Sequence, residues 1–417
     1  MDEKVVKCSL HRLVSLKAIL PEIQKRSLSI SQAIRKGSLV FNRLLIYALE
    51  NNIDLSFLRD KNIYIHCLTI GETKLTTLNP ILKDVWNTFF QSYPRIPRYA
   101  NDADANEYKY AAKTYKTNFI NSLVFAFQGR QKRYIKAILK YNGQNEKQWY
   151  SIAASINNWT VPNNLPDNFK QFVEDEKQIL GNTAPITRKW LKAHPENVVK
   201  YYHNILYITE QLPDVKKFTL APICKIKSHF LNLDTKSLQG ILTQTHQIKK
   251  MTEKEFMKDR DTYWNMTFNY KKLSKKEFFY MIQTDGVSAC VHFLQPKISK
   301  PIEKKIFSSE QRVIAIDPGR TNLIYGVEEL SNGEVKTYKL TRQSYYNQSG
   351  MKQAKLKTQK WEQEIKTEED ILKQVSLKTT QGAVIDQFLT NYYPIYQRLW
   401  QAKTQKNGVG RGFECIV

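Results

Sequence analysis

The stretch Val313-Ile314-Ala315-Ile316-Asp317-Pro318-Gly319-Arg320-Thr321-Asn322-Leu323-Ile324-Tyr325-Gly326-Val327-Glu328 decides how this 417-residue chain reads. The run Val313 to Ile316 is apolar throughout and bounded by a turn signal, which predicts a short buried strand. It ends in Asp317-Pro318-Gly319, and a second strand is expected through Leu323–Val327 into Glu328. A strand ending in Asp-x-Gly carries a carboxylate at its carboxyl edge, and the glycine lets the next strand turn back closely. Asp, Pro and Gly are also the ordinary residues of a hairpin turn, so the tripeptide has a purely structural reading beside the chemical one.

Outward from this point the texture changes twice. Downstream, Val335–Leu340 predicts a third strand after Ser331-Asn332-Gly333, with helices over Gln353–Lys378 and Gly382–Lys403. Upstream, Phe278–Gln283 and Val287–Phe293 flank Thr284-Asp285-Gly286, and Asp-Gly between two β-rich runs predicts a hairpin with a type I′ turn. Phe218–Ile223 and Thr267–Tyr270 read as strands with a helix near Thr235–Ile241 between them, and Gln295–Ser309, with Pro296, Pro301 and four lysines, reads as a linker. From Leu13 to Glu210 apolar residues recur at three- and four-residue spacing, as in Leu39, Phe41, Leu44, Leu45 and Ala48, and again in Ile120, Leu123, Val124, Phe127, Ile135, Ile138 and Leu139. That periodicity predicts helices, interrupted by loops at Tyr93–Arg98 and Val161–Pro166. Val5–Leu10 predicts a short first strand.

The chain holds 64 Lys and Arg against 39 Asp and Glu, a formal net charge of +25, with 41% hydrophobic and 12% aromatic residues. This excludes global disorder and points to a polyanionic partner, nucleic acid before an anionic membrane. No apolar run approaches the ~18–20 residues that a spanning helix needs, and the charged start Met1-Asp2-Glu3-Lys4 has no secretory signal pattern. The five cysteines are scattered and never form Cys-x-x-Cys, which fits a reducing, intracellular setting and provides no zinc site. His66 and His229 have no Cys or His at metal-ligand spacing and read as structural. No Gly-rich phosphate loop, Gly-x-Ser-x-Gly or Cys/His nucleophile pattern is present, leaving P-loop and hydrolase classes without support.

Two fold families end a strand in Asp-x-Gly: RNase H-like nucleases, where the Asp binds Mg²⁺ beside other acids, and actin/Hsp70-type ATPases. The positive charge favours the nuclease branch, and the second Asp-x-Gly phosphate loop of the ATPases is missing. Ile314–Leu323 resembles the first RuvC motif of Fanzor proteins, the eukaryotic and viral relatives of TnpB. Phe278–Phe293, with Thr284–Ser288 at its centre, is similar to the hairpin that family carries before its nuclease domain. Phe218–Leu238, with Pro222 and Leu233–Leu238, looks like the segment upstream of that hairpin. Tyr338–Thr341, with Tyr345-Tyr346 and Ser349-Gly350, is similar to the segment after the first RuvC strands. These stretches span residues 215–350 in the family's order.

The resemblance implies an RNA-guided DNA endonuclease whose partners are a guide RNA and target DNA, with a nuclear location in a eukaryote. Asp317 would be the catalytic carboxylate and the first Mg²⁺ ligand. The expected architecture is multi-domain α+β: a first wedge strand over 1–12, a helical recognition lobe over 13–210, a β-rich wedge domain and linker over 211–310, and the opening part of a RuvC-like domain over 311–417. The family's second-motif Glu, Cys-x-x-Cys zinc insert and third-motif Asp all lie further downstream than Val417. Glu414 sits in Gly-Arg-Gly-Phe-Glu-Cys and is not expected to replace the second ligand. Glu328 and Glu329 are expected to face solvent. A lone carboxylate does not hold two ions. The expectation is therefore an N-terminal fragment, a truncated gene product or a decayed copy, the alternative function being a non-catalytic guide-RNA/DNA-binding remnant.

Two basic stretches are the expected phosphate contacts. Lys109–Lys140 holds Lys109, Lys113, Lys116, Arg130, Lys132, Arg133, Lys136 and Lys140 and no acid; Lys339–Lys360 includes Lys352, Lys355, Lys357 and Lys360, again without an acid. A charge run is also the usual make-up of a solvated helix face. Tyr93, Tyr99, Tyr108, Tyr110 and Tyr115 lie near the first stretch, as base-stacking candidates or as core. Lys271, Lys272, Lys275 and Lys276 read equally as a nuclear-import patch, a phosphate contact or a guard on a hairpin edge.

Overall fold

A computed structural model describes residues 2–69, 79–88, 105–158, 167–181, 184–295, 313–330 and 332–405. The architecture is mixed α and β, mostly helical, with two small antiparallel sheets. The first strand, β1 (Asp2–Ser9), is followed by one helical turn, α1 (Leu10–Leu13), and by the long helix α2 (Leu20–Glu50). Then come α3 (Lys61–Thr69), α4 (Pro80–Thr88), α5 (Ala105–Tyr141), α6 (Trp149–Asn158), α7 (Asp167–Leu180), α8 (Arg188–Ala193) and α9 (Pro195–Glu210). The expected loops at Tyr93–Arg98 and Val161–Pro166 lie outside the described residues, as does all of the expected linker beyond Gln295.

Both apolar faces read from the periodicity are core. Phe41 packs against Tyr64, Tyr115 and Phe119 with ring centroids 4.9–5.7 Å apart, joining α2, α3 and α5 through offset and edge-on contacts. Gly37 sets the closeness of α2 and α3, since a Cβ there would lie 2.7 Å from Leu68 Cδ1 and 3.1 Å from the Cys67 carbonyl. Helix α2 is buried nearly all round, so its arginines are engaged internally. Arg26 donates to Glu107 at 3.1 Å, Gln244 at 2.6 Å and Glu22 at 2.8 Å. Arg35 donates to the Tyr392 hydroxyl and the Cys224 carbonyl. Arg43 holds both oxygens of Asp386, at 2.6 and 3.0 Å.

The first sheet has the order β1-β4-β3-β2 and is built from β2 (Leu231–Leu233), β3 (Phe278–Thr284) and β4 (Ser288–Gln295) with the N-terminal strand on its edge. Helices α10 (Thr235–Gln244), α11 (Glu253–Lys258) and α12 (Arg260–Thr267) fill the crossover between β2 and β3. Asp234 caps α10, accepting from the Ser237 amide at 2.8 Å. The hairpin forms where Asp-Gly predicted it, but the turn differs from type I′. The last pair is Thr284 with Ala289, which leaves a four-residue loop, and Gly286 alone in that loop takes a positive φ, +88°. Asp285 closes the loop by side chain, accepting from the Val287 and Ser288 amides at 3.0 and 2.8 Å. Phe218–Ile223 forms no strand, and Thr267–Tyr270 supplies only the single bridge Phe268 to Val14. Leu220 and Ala221 are buried in irregular backbone instead, with the Ala221 amide held by Asn42 Oδ1.

The second sheet is the meander β5 (Ile314–Asp317), β6 (Asn322–Glu329) and β7 (Val335–Thr341), in that order. Helices α13 (Arg342–Gln348), α14 (Met351–Glu362), α15 (Lys366–Lys373) and α16 (Gly382–Gln405) complete the described chain. The helix expected over Gln353–Lys378 is thus broken into α14 and α15, turning where Ile365 buries its side chain. Strand β5 exists as read, yet all four of its residues are exposed, so the expectation of a buried strand is corrected. It is an edge strand, and no helix covers its faces among the described residues. Helix α16 docks on α2: the Gly382 amide donates to Glu50 Oε1 at 2.6 Å, placing an anion at the helix N-terminus.

Candidate nucleic-acid interface

Helix α5 runs unbroken for 37 residues and carries the whole first basic stretch. At 100° per residue its cations divide. Lys109, Lys113 and Lys116 share one side, and Lys132, Lys136 and Lys140 lie about 170° round the axis. The run is therefore two surfaces. Lys109 and Lys113 are exposed, while Lys116 donates to the Arg59 carbonyl at 2.7 Å and lies over the Tyr64 ring. On the far half, Lys132, Arg133 and Lys140 are exposed and Lys136 lies 3.5 Å from Glu146.

Arg130 stands apart. Its guanidinium is held between the rings of Tyr202 and Phe218, 4.3 and 3.9 Å from their centroids, and burial lowers its pKa to about 10. It fastens α5 to α9 and the following loop; the solvent face of the helix is formed by its neighbours. The four lysines of the second stretch, Lys352, Lys355, Lys357 and Lys360, are all exposed on α14, a helix without a buried residue.

The tyrosines near the first stretch are core or boundary groups. Tyr108 and Tyr115 are buried, Tyr115 donating to the Pro222 carbonyl at 3.2 Å, and Tyr110 donates to Asp234 at 3.1 Å. Tyr93 and Tyr99 lie outside the described residues. The rings open to solvent on this side are others: Phe125, 73% exposed, and Tyr150, 69% exposed. Periodicity hid Phe125. Leu123, Val124, Phe125 and Phe127 form one apolar cluster in sequence, and a helix with a single buried face must turn one of them outward.

Asp317 ends β5 as an exposed carboxylate, paired in register with Tyr325. Gly319 is required by backbone proximity, since its amide donates to the Asn322 carbonyl at 2.9 Å and a Cβ would approach that oxygen to 2.8 Å. Glu329 is exposed as expected, but Glu328 is only 1% exposed and accepts from the Tyr338 hydroxyl at 2.6 Å, which corrects its assignment to solvent. It pairs with Ile314, three positions up the strand from Asp317, about 10 Å away. No group of three or more His, Cys, Asp or Glu converges among the described residues. Two-ion chemistry needs several convergent carboxylates. The described donors around Asp317 do not supply that set. Glu414 lies outside the described residues.

Residues 231–295 match the family model described as Domain of unknown function (DUF8286). The match begins at the first residue of β2 and ends at the last residue of β4, so it takes in three strands of the first sheet with the helices of its crossover. The DUF8286 segment therefore coincides with a structural unit that β1 completes along β4. A search of the curated proteins finds no match. Among the described residues no helix is long and apolar enough to cross a membrane.

Proposed function

We propose that this protein binds a guide RNA and, through it, target DNA, in the manner of the Fanzor and TnpB proteins that its sequence resembles. The observation that supports this most is the meander β5–β6–β7: an apolar edge strand ending in the exposed carboxylate of Asp317, with its chain running from β7 straight into helix α13. This is the arrangement expected of the opening of a RuvC-like, RNase H-type domain. The basic faces of α5 and α14 supply phosphate contacts that position a nucleic acid without reading its sequence. In this reading Asp317 is one Mg²⁺ donor, and cleavage requires further acidic donors beyond the described set.

The test is to purify the chain from cells and sequence the nucleic acid that travels with it. A bound RNA population that dissociates steeply with salt is expected. Absence of RNA above background overturns the proposal. A second reading, a nucleic-acid-binding protein without nuclease activity, is favoured by the single carboxylate at the end of β5. Mg²⁺-dependent nicking abolished by Asp317→Ala excludes it.

A further inference from the structure

We propose that the outer face of α5 and the start of α6 form a platform for a single-stranded nucleic acid, its bases stacking on Phe125 and Tyr150. This deepens the function proposed above and rests on reading α5 as a nucleic-acid interface. Lys132 and Lys136 stand seven and eleven residues after Phe125, which puts each within about 20° of Phe125, on either side of it, in one stripe spread over ~16 Å of helix. Gly129, four residues after Phe125, leaves the stripe flat beside the ring. Lys132 lies over the Trp149 ring at 4.6 Å, and Tyr150 meets Trp149 edge-on at 5.7 Å. Lys132 thus links the Phe125 stripe to the Trp149–Tyr150 pair. Arg133, Lys140 and Lys147 are exposed beside them, and Glu146, paired with Lys136, is the acid of the patch among the described residues.

Charge complementarity selects the occupant. A large apolar ring left in water amid cations gains little from a duplex, whose bases already stack on one another, whereas an unpaired strand offers a π-face at each base and a phosphate at each step. The same composition would repel a basic partner. Trp149, half-buried beneath Lys132, anchors the platform to the α5–α6 contact, so the rings are presented on two packed helices.

The experiment uses the full chain freed of co-purified nucleic acid by high salt. A fluorescent single-stranded oligonucleotide of about 16 nucleotides, the upper end of a one-module site, is titrated beside a duplex of the same sequence. Phe125→Ala and Tyr150→Ala are each expected to weaken single-strand binding about tenfold while leaving the duplex unaffected. Phe125→Leu, which keeps an apolar side chain but removes the π-face, is expected to behave like Phe125→Ala. Tyr141→Ala is the internal control: Tyr141 is as exposed as Phe125 but lies 16 residues on, about 160° round the helix, and its loss is expected to change nothing. Unchanged single-strand binding in the Phe125 and Tyr150 variants overturns the platform. So does an equal loss with Tyr141→Ala, or binding of poly-aspartate with the same aromatic dependence. A wild-type chain that binds neither oligonucleotide overturns the broader reading of α5, which keeps the two failures distinct.

Discussion

The two antiparallel sheets are built from strands of comparable apolar content, and they sit in opposite environments. In the first, Ile282, Ala289, Val291 and Phe293 are buried, and α12 packs onto the sheet through Trp264, edge-on to Phe278 at 5.0 Å. In the second, Ile314, Ile316, Ile324 and Val335 are exposed, Ile316 by 60%. Strand sequence specifies pairing in both; it makes core only where a helix lays an apolar face across it. The chain supplies that helix between β2 and β3, whereas α14 follows the second sheet as a lysine-rich helix with nothing to bury.

The largest expected effect breaks or confirms this contrast directly. Phe293→Ala empties a site in the covered sheet and should lower unfolding free energy by about 3–5 kcal/mol, read from chemical denaturation. The covered part of the molecule also holds a buried acid. Glu176 accepts from Tyr134 at 3.0 Å, and burial raises its carboxyl from 4.5 to about 7. A raised acid stabilises the fold fully below its unfolded value, and that contribution is lost as pH climbs through about 7. Glu176→Gln should therefore be more stable than the parent at pH 8, by a few kcal/mol at most, with the gain gone near pH 4; a constant difference across that range would remove the burial argument.

Next in size is Gly382→Ala. Its Cβ would stand 2.6 Å from Glu50 Oε2 and 2.9 Å from the Arg43 guanidinium, so α16 should loosen from α2 at a cost of about 1–3 kcal/mol. Hydrogen exchange should show the change in α16 and leave β5 as open as before. Smallest is Ile316→Lys, expected to shift stability by no more than about 0.5 kcal/mol. A large loss there would mean that β5 is covered in solution, and the contrast between the sheets would fall.

Much of this was legible in residues 1–417. The β3–β4 hairpin, the β5–β6 pair, α16 and the two apolar helix faces follow from period and turn chemistry. The misreadings share a cause, which is that tertiary surroundings overrode a local signal. Phe218–Ile223 is β-rich in composition, but Asn42 takes the Ala221 amide that a ladder would have used. Glu328 reads as surface until Tyr338 bends over it. The basic run in α5 looked like one surface because sequence order hides the turn of a helix, and Arg130 looked free because its aromatic partners come about 70–90 residues later.

Helix α2 has a consequence for how the chain is made. Arg43 reaches its carboxylate partner across 343 residues, and Arg35 reaches Tyr392 across 357. At about 5–20 residues per second of synthesis, these cations wait tens of seconds before α16 emerges. The long helix is thus made well before the segment that encloses this part of it. Until α16 arrives, Arg43 lacks the Asp386 carboxylate and Arg35 the Tyr392 hydroxyl, so that side of α2 is completed only after more than about 340 further residues have been made.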